Sequence, residues 1–397
     1  MSLSLFKTAC IIFVLGSAAA IAPPALSHFT TPAQAASRDS PASITIFNVA
    51  GAGTGAYAGT VPVAINTSGA IVGAYILTGN VCHGFLRATS GAITTFSAPG
   101  AGTSSKQGTF PDSINTAGTI AGYVSDSHNG YHGFVRAVSG AITAFDVPGT
   151  VKDWHLGTAA SSINTAGVIT GVYRGASLVH HGFVRAVNGT ITTFNVPAAG
   201  TGTFEGTIPL SINAAGEITG FYIDSSGAHH GFLRSATGAM SVFDPPGSGT
   251  GKGEGTVPVS INTSGAIAGA YTDATGVSHG FVRAGNGTMT TFEAPGAAAN
   301  ATLASLLQAM GSGPPTQGTG ALSINTAGTL VGAYAKPTGV AHGFVRATNG
   351  VITEFSVPGA GTGTLEGTVA FGINTAGAVT GTYVDAKKVF HGFLRSP

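Results

Sequence analysis

The chain has 397 residues, of which 43% are hydrophobic, 62 are glycine and only 8% are Asp, Glu, Lys or Arg, with a formal charge of +1. That is too apolar and too weakly charged for a disordered chain. It carries no basic footprint for nucleic acid and no run of like charge for a lipid surface.

The N-terminal residues read as a secretory leader. Lys7 precedes an apolar run from Ala9 to Ala22, and Ala33-Gln34-Ala35 fits a small-x-small cleavage site. Gly16, Pro23 and Pro24 leave the run short for a membrane span. Residues 1–35 are expected to be removed as a signal peptide, leaving a secreted or periplasmic domain over 36–397 with no membrane span after processing. Cys82 then has no intrachain disulfide partner.

A lone strand follows, SITIFNV, in which Ile44 and Phe47 stand 49 residues before Ile93 and Phe96. From there the chain repeats. The motif Ile-Asn-(Thr/Ala)-(Ala/Ser)-Gly sets asparagine at 66, 115, 164, 213, 262, 325 and 374, in steps of 49 residues with one step of 63. The fifth unit shows the plan: strand a from Thr256 to Asn262, b from Ala266 to Asp273, c from Ser278 to Ala284, d from Thr288 to Pro295. Gly- and Asn-bearing turns separate the strands. Four antiparallel strands in a repeat of about 40–50 residues describe a propeller blade. The chain stops at HGFLRSP, so its last unit has a, b and c but no d. The expected fold is all-β: one seven-bladed β-propeller of four-stranded blades, closed by the N-terminal strand completing the last blade. A parallel β-helix is the alternative. Pro62, Pro111, Pro209 and Pro258 suit an innermost strand a along the central channel, because proline donates no ladder bond.

Strand c carries His-Gly-Phe, then Val or Leu, then Arg, at His83, His132, His181, His230, His279, His342 and His391. Alternation puts His132, Phe134 and Arg136 on one face and Gly133 and Val135 on the other. A phenylalanine of one blade is expected to meet a glycine of the next. A metal centre needs ligands within about 2 Å of one ion, and equivalent positions a blade apart do not converge in that way. The histidines and arginines therefore read as structural groups that satisfy backbone carbonyls or neighbouring turns. So do the motif asparagines and Tyr75, Tyr173, Tyr222, Tyr271, Tyr334 and Tyr383 of strand b.

These units resemble the HAF-type extracellular repeats, with His-Gly-Phe here in place of that family's His-Ala-Phe core. The resemblance covers the chain from Ile44 onward. It implies an exported, bacterial-type repeat protein, and it implies no reaction and no catalytic residue.

The a–b and c–d turns share one side of such a ring and hardly vary. The b–c and d–a loops share the other, and departures from the repeat fall there. Lys152, Asp153, Trp154 and His155 stand together before the third blade, and the only tryptophan, beside polar groups, suits either stacking on a sugar or other flat ligand or plugging a gap under its own loop. An insertion about residues 297–313 sets Leu303, Leu306, Leu307 and Met310 at helical spacing, a short helix expected to cap the channel. The residue before the Gly-Thr of strand a runs Ala58, Gln107, Leu156, Glu205, Glu254, Gln317, Glu366. Its three glutamates are expected near the channel mouth, solvated, as ligand contacts or as a weak Ca²⁺ site.

There is no nucleophile elbow, HExxH, P-loop or paired-cysteine metal site. No catalytic residue, no metal and no cofactor is assigned. The expected function is a secreted, non-catalytic module that binds a glycan or an envelope protein through the b–c/d–a face. The alternatives are a multivalent lectin with sites between blades, or a polysaccharide-acting enzyme using carboxylates such as Glu205 and Glu254 on adjacent blades.

Overall fold

Short runs rich in Ile, Val, Thr and Phe, punctuated by turn glycines at positive φ, leave the chain little choice but hairpins. The computed structural model describes residues 42–151, 156–298 and 318–397, and there it shows 28 strands and no helix. The leader expected over 1–35, the loop residues 152–155 and the helix expected about 297–313 lie outside the described residues, apart from Ala297 and Ala298.

Strand β1 spans Ile44–Phe47. The first repeat follows as β2 (Gly59–Ile65), β3 (Ile71–Ile76), β4 (Cys82–Arg87) and β5 (Ile93–Phe96), each antiparallel to the next. This a–b–c–d order recurs to β28 (Phe390–Arg395). β1 pairs antiparallel with β28, Ile44 opposite Arg395, and supplies the d strand missing from the last set. Successive a strands approach one another all the way round, last with first. They are almost wholly buried, whereas the d strands are largely exposed.

The sets are not separate sheets. Gly59 opens strand a and pairs in parallel with Phe390 of the preceding strand c, and the same bridge recurs at each junction. The bridge requires glycine. At these positions φ is +101° to +134°, which L side chains avoid, and a Cβ on Gly59 would strike the Phe390 carbonyl. The outcome is one continuous, closed, propeller-like sheet.

A second ring of contacts is aromatic. The d-strand Phe96 lies on Gly84 of its own His-Gly-Phe, so closely that a Cβ there would come within 2.6 Å of the ring. It then meets strand c of the next set, edge-on to Phe134 and beneath Arg136. Seven such Phe–Phe pairs close the circle at 5.8–6.3 Å and 69–77°, the last joining Phe47 to Phe85. The arginine of each strand c stands 4.8–5.3 Å over the same ring. The expected Phe-on-Gly interlock between blades is therefore corrected. Phe85 rests on Gly73 of its own set, because the two are directly opposite on adjacent strands. What joins neighbours is phenylalanine against phenylalanine and arginine. The arginines, expected to satisfy backbone carbonyls or neighbouring turns, are cation–π partners, and Arg234 also donates to the Ser235 carbonyl of its turn at 3.2 Å.

A third ring is polar. Asn66 Oδ1 accepts the Ala70 amide of its own turn, as expected. Its Nδ2 donates to the backbone carbonyl of Asn115, the equivalent residue one set on. Every motif asparagine does the same at 2.9–3.2 Å, and Asn374 returns to Asn66.

Two outcomes follow for the closing strand. Phe47→Ala removes a ring that is 9% exposed and should lower unfolding free energy by about 3–5 kcal/mol in chemical denaturation. Deletion through Gly51 bares the β28 edge and should give insoluble or largely destabilised protein. Cooperative melting of that truncation at the full-length temperature would show that the ring closes without β1.

Candidate functional site

Strand c leaves the b–c loop, so its second residue, the repeated histidine, sits at the variable face. The seven histidines are all half-buried. Six stack on the strand-b tyrosine directly opposite, from Tyr75–His83 to Tyr383–His391, at 4.7–5.5 Å and 17–28°. In the second set Val124 takes the tyrosine's place opposite His132. Each imidazole Nδ1 reaches the residue that follows the d-strand phenylalanine. The partners are Ser97 at 2.7 Å, Asp146 at 2.9 Å, Asn195 at 2.8 Å, Asp244 at 2.7 Å, Ser356 at 3.0 Å and Asn48 at 3.0 Å, with Glu293 in the fifth set. The histidines were expected to satisfy backbone carbonyls or neighbouring turns, and the turn aspartates meet the second part of that expectation. They form a rim of side-chain clusters whose third member changes from set to set.

In the second, fourth and fifth sets the histidine lies between two carboxylates. Asp126, Asp224 and Asp273 open the b–c loops and lie 3.3, 3.4 and 3.1 Å from Nε2 of His132, His230 and His279. Asp385 does the same for His391 at 3.1 Å, opposite the neutral Asn48. The other oxygen of Asp273 accepts the Thr275 and Val277 amides, so one carboxylate caps its turn and orients the ring. Bonds to Asp146 and then Asp126 outweigh burial and raise the His132 pKa above its ordinary value. Glu293 and Asp273 do so for His279. In the sixth set Lys336 and His342 share Glu354, at 3.0 and 2.9 Å, and Tyr334 donates to the same carboxylate. Burial, then the charge of Lys336, lowers His342.

Two further histidines begin strand c in the third and fourth sets. His180 and His229 are fully buried, and burial lowers them to about 3 and about 4. They stay neutral in the folded chain. Burial likewise pushes the Cys82 thiol up to about 12, so it is an inert core group.

The glutamates singled out from sequence are committed to their own loops. Glu205 accepts the Gly202 amide at 2.6 Å, Glu254 that of Gly251 at 2.8 Å and Glu366 that of Gly363 at 2.6 Å. Gln107 does the same with Ser104. Lys388 adds an ion pair to Glu366 at 2.7 Å. They are loop staples rather than solvated ligands, because an acid three residues after a turn amide folds back onto it. Among the described residues no three His, Cys, Asp or Glu side chains are grouped to hold a metal ion. Lys152, Asp153, Trp154 and His155 lie outside the described residues. The histidine rim was missed, although its sequence signal is plain: the residue after each d-strand phenylalanine is always Ser, Asp, Asn or Glu.

No family model and no curated protein matches the chain. A lectin from Burkholderia pseudomallei is similar in structure, with a TM-score of 0.52 at 12% identity over 83% of this chain and 94% of the lectin. At that identity the likeness concerns the fold. A fucose-specific lectin from Aleuria aurantia gives a TM-score of 0.40 at 11% identity, over 74% of this chain and 94% of that one. A puromycin hydrolase gives 0.48 at 12%, over 84% of this chain and 51% of its own.

The buried histidines contribute to the acid response. His229 lies below its ordinary value when folded, so the unfolded chain takes up the proton first. Stability is lost as pH falls from 6.5 toward about 4, by roughly 2 kcal/mol at pH 5. His229→Phe copies Phe390 at the equivalent place in the last set. Denaturation at pH 7.5 and pH 5 should show the variant losing less stability on acidification than the parent by about that amount. An equal loss in both would place the acid response elsewhere.

Proposed function

We propose that the chain is an extracytoplasmic, non-catalytic seven-bladed β-propeller of the HAF-repeat type that binds a glycan through its b–c/d–a face. One observation carries the reading: the seven junctions are alike, and the groups around them diverge on one face only. The asparagine ring of the opposite side has spent its side-chain donors and acceptors on backbone. On the b–c/d–a side, half-buried imidazoles stand beside hydroxyl, amide or carboxylate partners. Such mixed donors and acceptors beside aromatic rings are the chemistry that orients a polyhydroxylated ligand. The likeness of fold to a lectin agrees with this reading. The enzyme alternative loses its named pair, since Glu205 and Glu254 each bond their own loop. No helix of the described residues is long and apolar enough to cross a membrane.

The test is calorimetric titration of the processed protein, residues 36–397, with dextran, galactomannan, alginate and pectin. Saturable binding to at least one is expected, reduced at least tenfold by His181→Ala. Silence across all four would overturn the glycan reading in favour of a protein partner.

A further inference from the structure

Charge is sorted between the two ends of the ring. Every strand c closes on its arginine, so the seven from Arg87 to Arg395 lie in the asparagine half, beside the c–d turns. In six sets a Cβ on the turn glycine would come within 3.4–3.5 Å of the arginine Nη2. The other charged groups described in that half are Asp112, buried in strand a, and Glu217, which accepts from Asn213 Nδ2 at 2.7 Å. Seven cations thus stand against two carboxylates, a formal +5. Toward the b–c/d–a face, eleven carboxylates stand against five lysines and Arg174, a formal −5 among the described residues.

The arginines have rings beneath them but no counterions. Six leave a buried Nε without a hydrogen-bond partner, and Arg87 and Arg136 are only 9% and 8% exposed. Burial holds Arg87, Arg185 and Arg346 below their ordinary value, and no carboxylate offsets it. A phenylalanine face attracts a guanidinium less than a carboxylate does. The carboxylates able to supply that attraction lie on the far face of the same molecule. Exposed apolar groups are divided likewise. Val138, Val187 and Val351 stand 65%, 65% and 46% exposed at the c–d turns, and Tyr57 and Val151 stand 40% and 39% exposed on the d–a loops.

We infer that copies of this chain stack head to tail, the b–c/d–a face of one seated on the arginine end of the next. A two-fold contact would bring seven arginines onto seven, or eleven carboxylates onto eleven, and like ends repel. Only the head-to-tail contact joins opposite charges. The two patches lie on opposite faces of one ring, so the stack stays open instead of closing on itself. The asparagine hydrogen bonds are untouched, since the contact uses charge and apolar area. The inference goes beyond the glycan reading and does not rest on it. A seated copy covers the b–c/d–a face, so only the last copy of a stack offers that face to a glycan.

The experiment is sedimentation velocity of the processed full chain over a wide range of concentration, with no glycan added. At about 0.02 M salt the average mass is expected to climb past that of a dimer. At about 0.5 M salt association should fall about tenfold or more. Val138→Glu with Val187→Glu sets carboxylates on the arginine end, and Val151→Lys with Glu293→Lys sets cations on the opposite face. Each double variant should be monomeric at low salt. Their equimolar mixture should give a dimer of one copy of each and nothing longer, because each variant keeps one sound end. All four side chains are exposed, and both variants should melt cooperatively within about 3 °C of the parent, which separates lost docking from lost fold. A parent that stays monomeric at low salt, a parent that stops at a dimer, a double variant that still stacks, or a mixture that stays monomeric would overturn the inference. The glycan reading stands or falls separately, on calorimetric titration.

Discussion

Each junction of the ring turns on one phenylalanine. The residue that ends strand d lies on the glycine of its own His-Gly-Phe and under the phenylalanine and arginine of the next. It is at once an in-sheet contact and a contact between sets. A buried phenylalanine contributes about 1.5–3 kcal/mol, the edge-on pair about 0.5–1.5 kcal/mol more and the guanidinium about 0.5–1 kcal/mol. The four positions constrain one another. Glycine must lack a Cβ for the ring to lie down, and the arginine needs that ring to cover its buried face. This is why His-Gly-Phe-Val/Leu-Arg hardly changes across the repeats, and why Phe47 of the N-terminal strand must belong to the same system.

The two ends of the ring then take different physical roles. At the asparagine end every side chain closes a hydrogen bond to its own turn and another to the next, all the way to Asn374 and Asn66. That end has little capacity left for a ligand. At the other end the backbone is held by the bridge at the glycine opening strand a and by bonds between left-handed loop residues. With the backbone secured there, side chains are free to differ. Carboxylates flank His132, His230 and His279, a lysine–glutamate pair stands beside His342, and amides face His181 and His391.

Much of the fold was legible because its causes are local or periodic. The 49-residue step and the turn glycines imply the repeated four-strand units before any coordinates. The variable face was legible as a location, since the b–c and d–a loops diverge. Its residues were less so. Glu205, Glu254 and Glu366 look like free acids in a line of text, yet each lies beside a turn amide three residues back. The histidine rim depends on pairing between strands c and d, fourteen residues apart.

By itself, then, the sequence determined the number and order of strands, their inward and outward faces and the need for the N-terminal strand, because period and alternation are properties of the chain. Tertiary structure alone decided which repeated groups are spent on holding the ring and which remain available. Whether an arginine lies on a neighbour's phenylalanine or a glutamate caps its own loop depends on what is brought alongside it. Those neighbours are set by how successive sets pack, and hydrogen-bond capacity and exposure follow from that packing rather than from residue type.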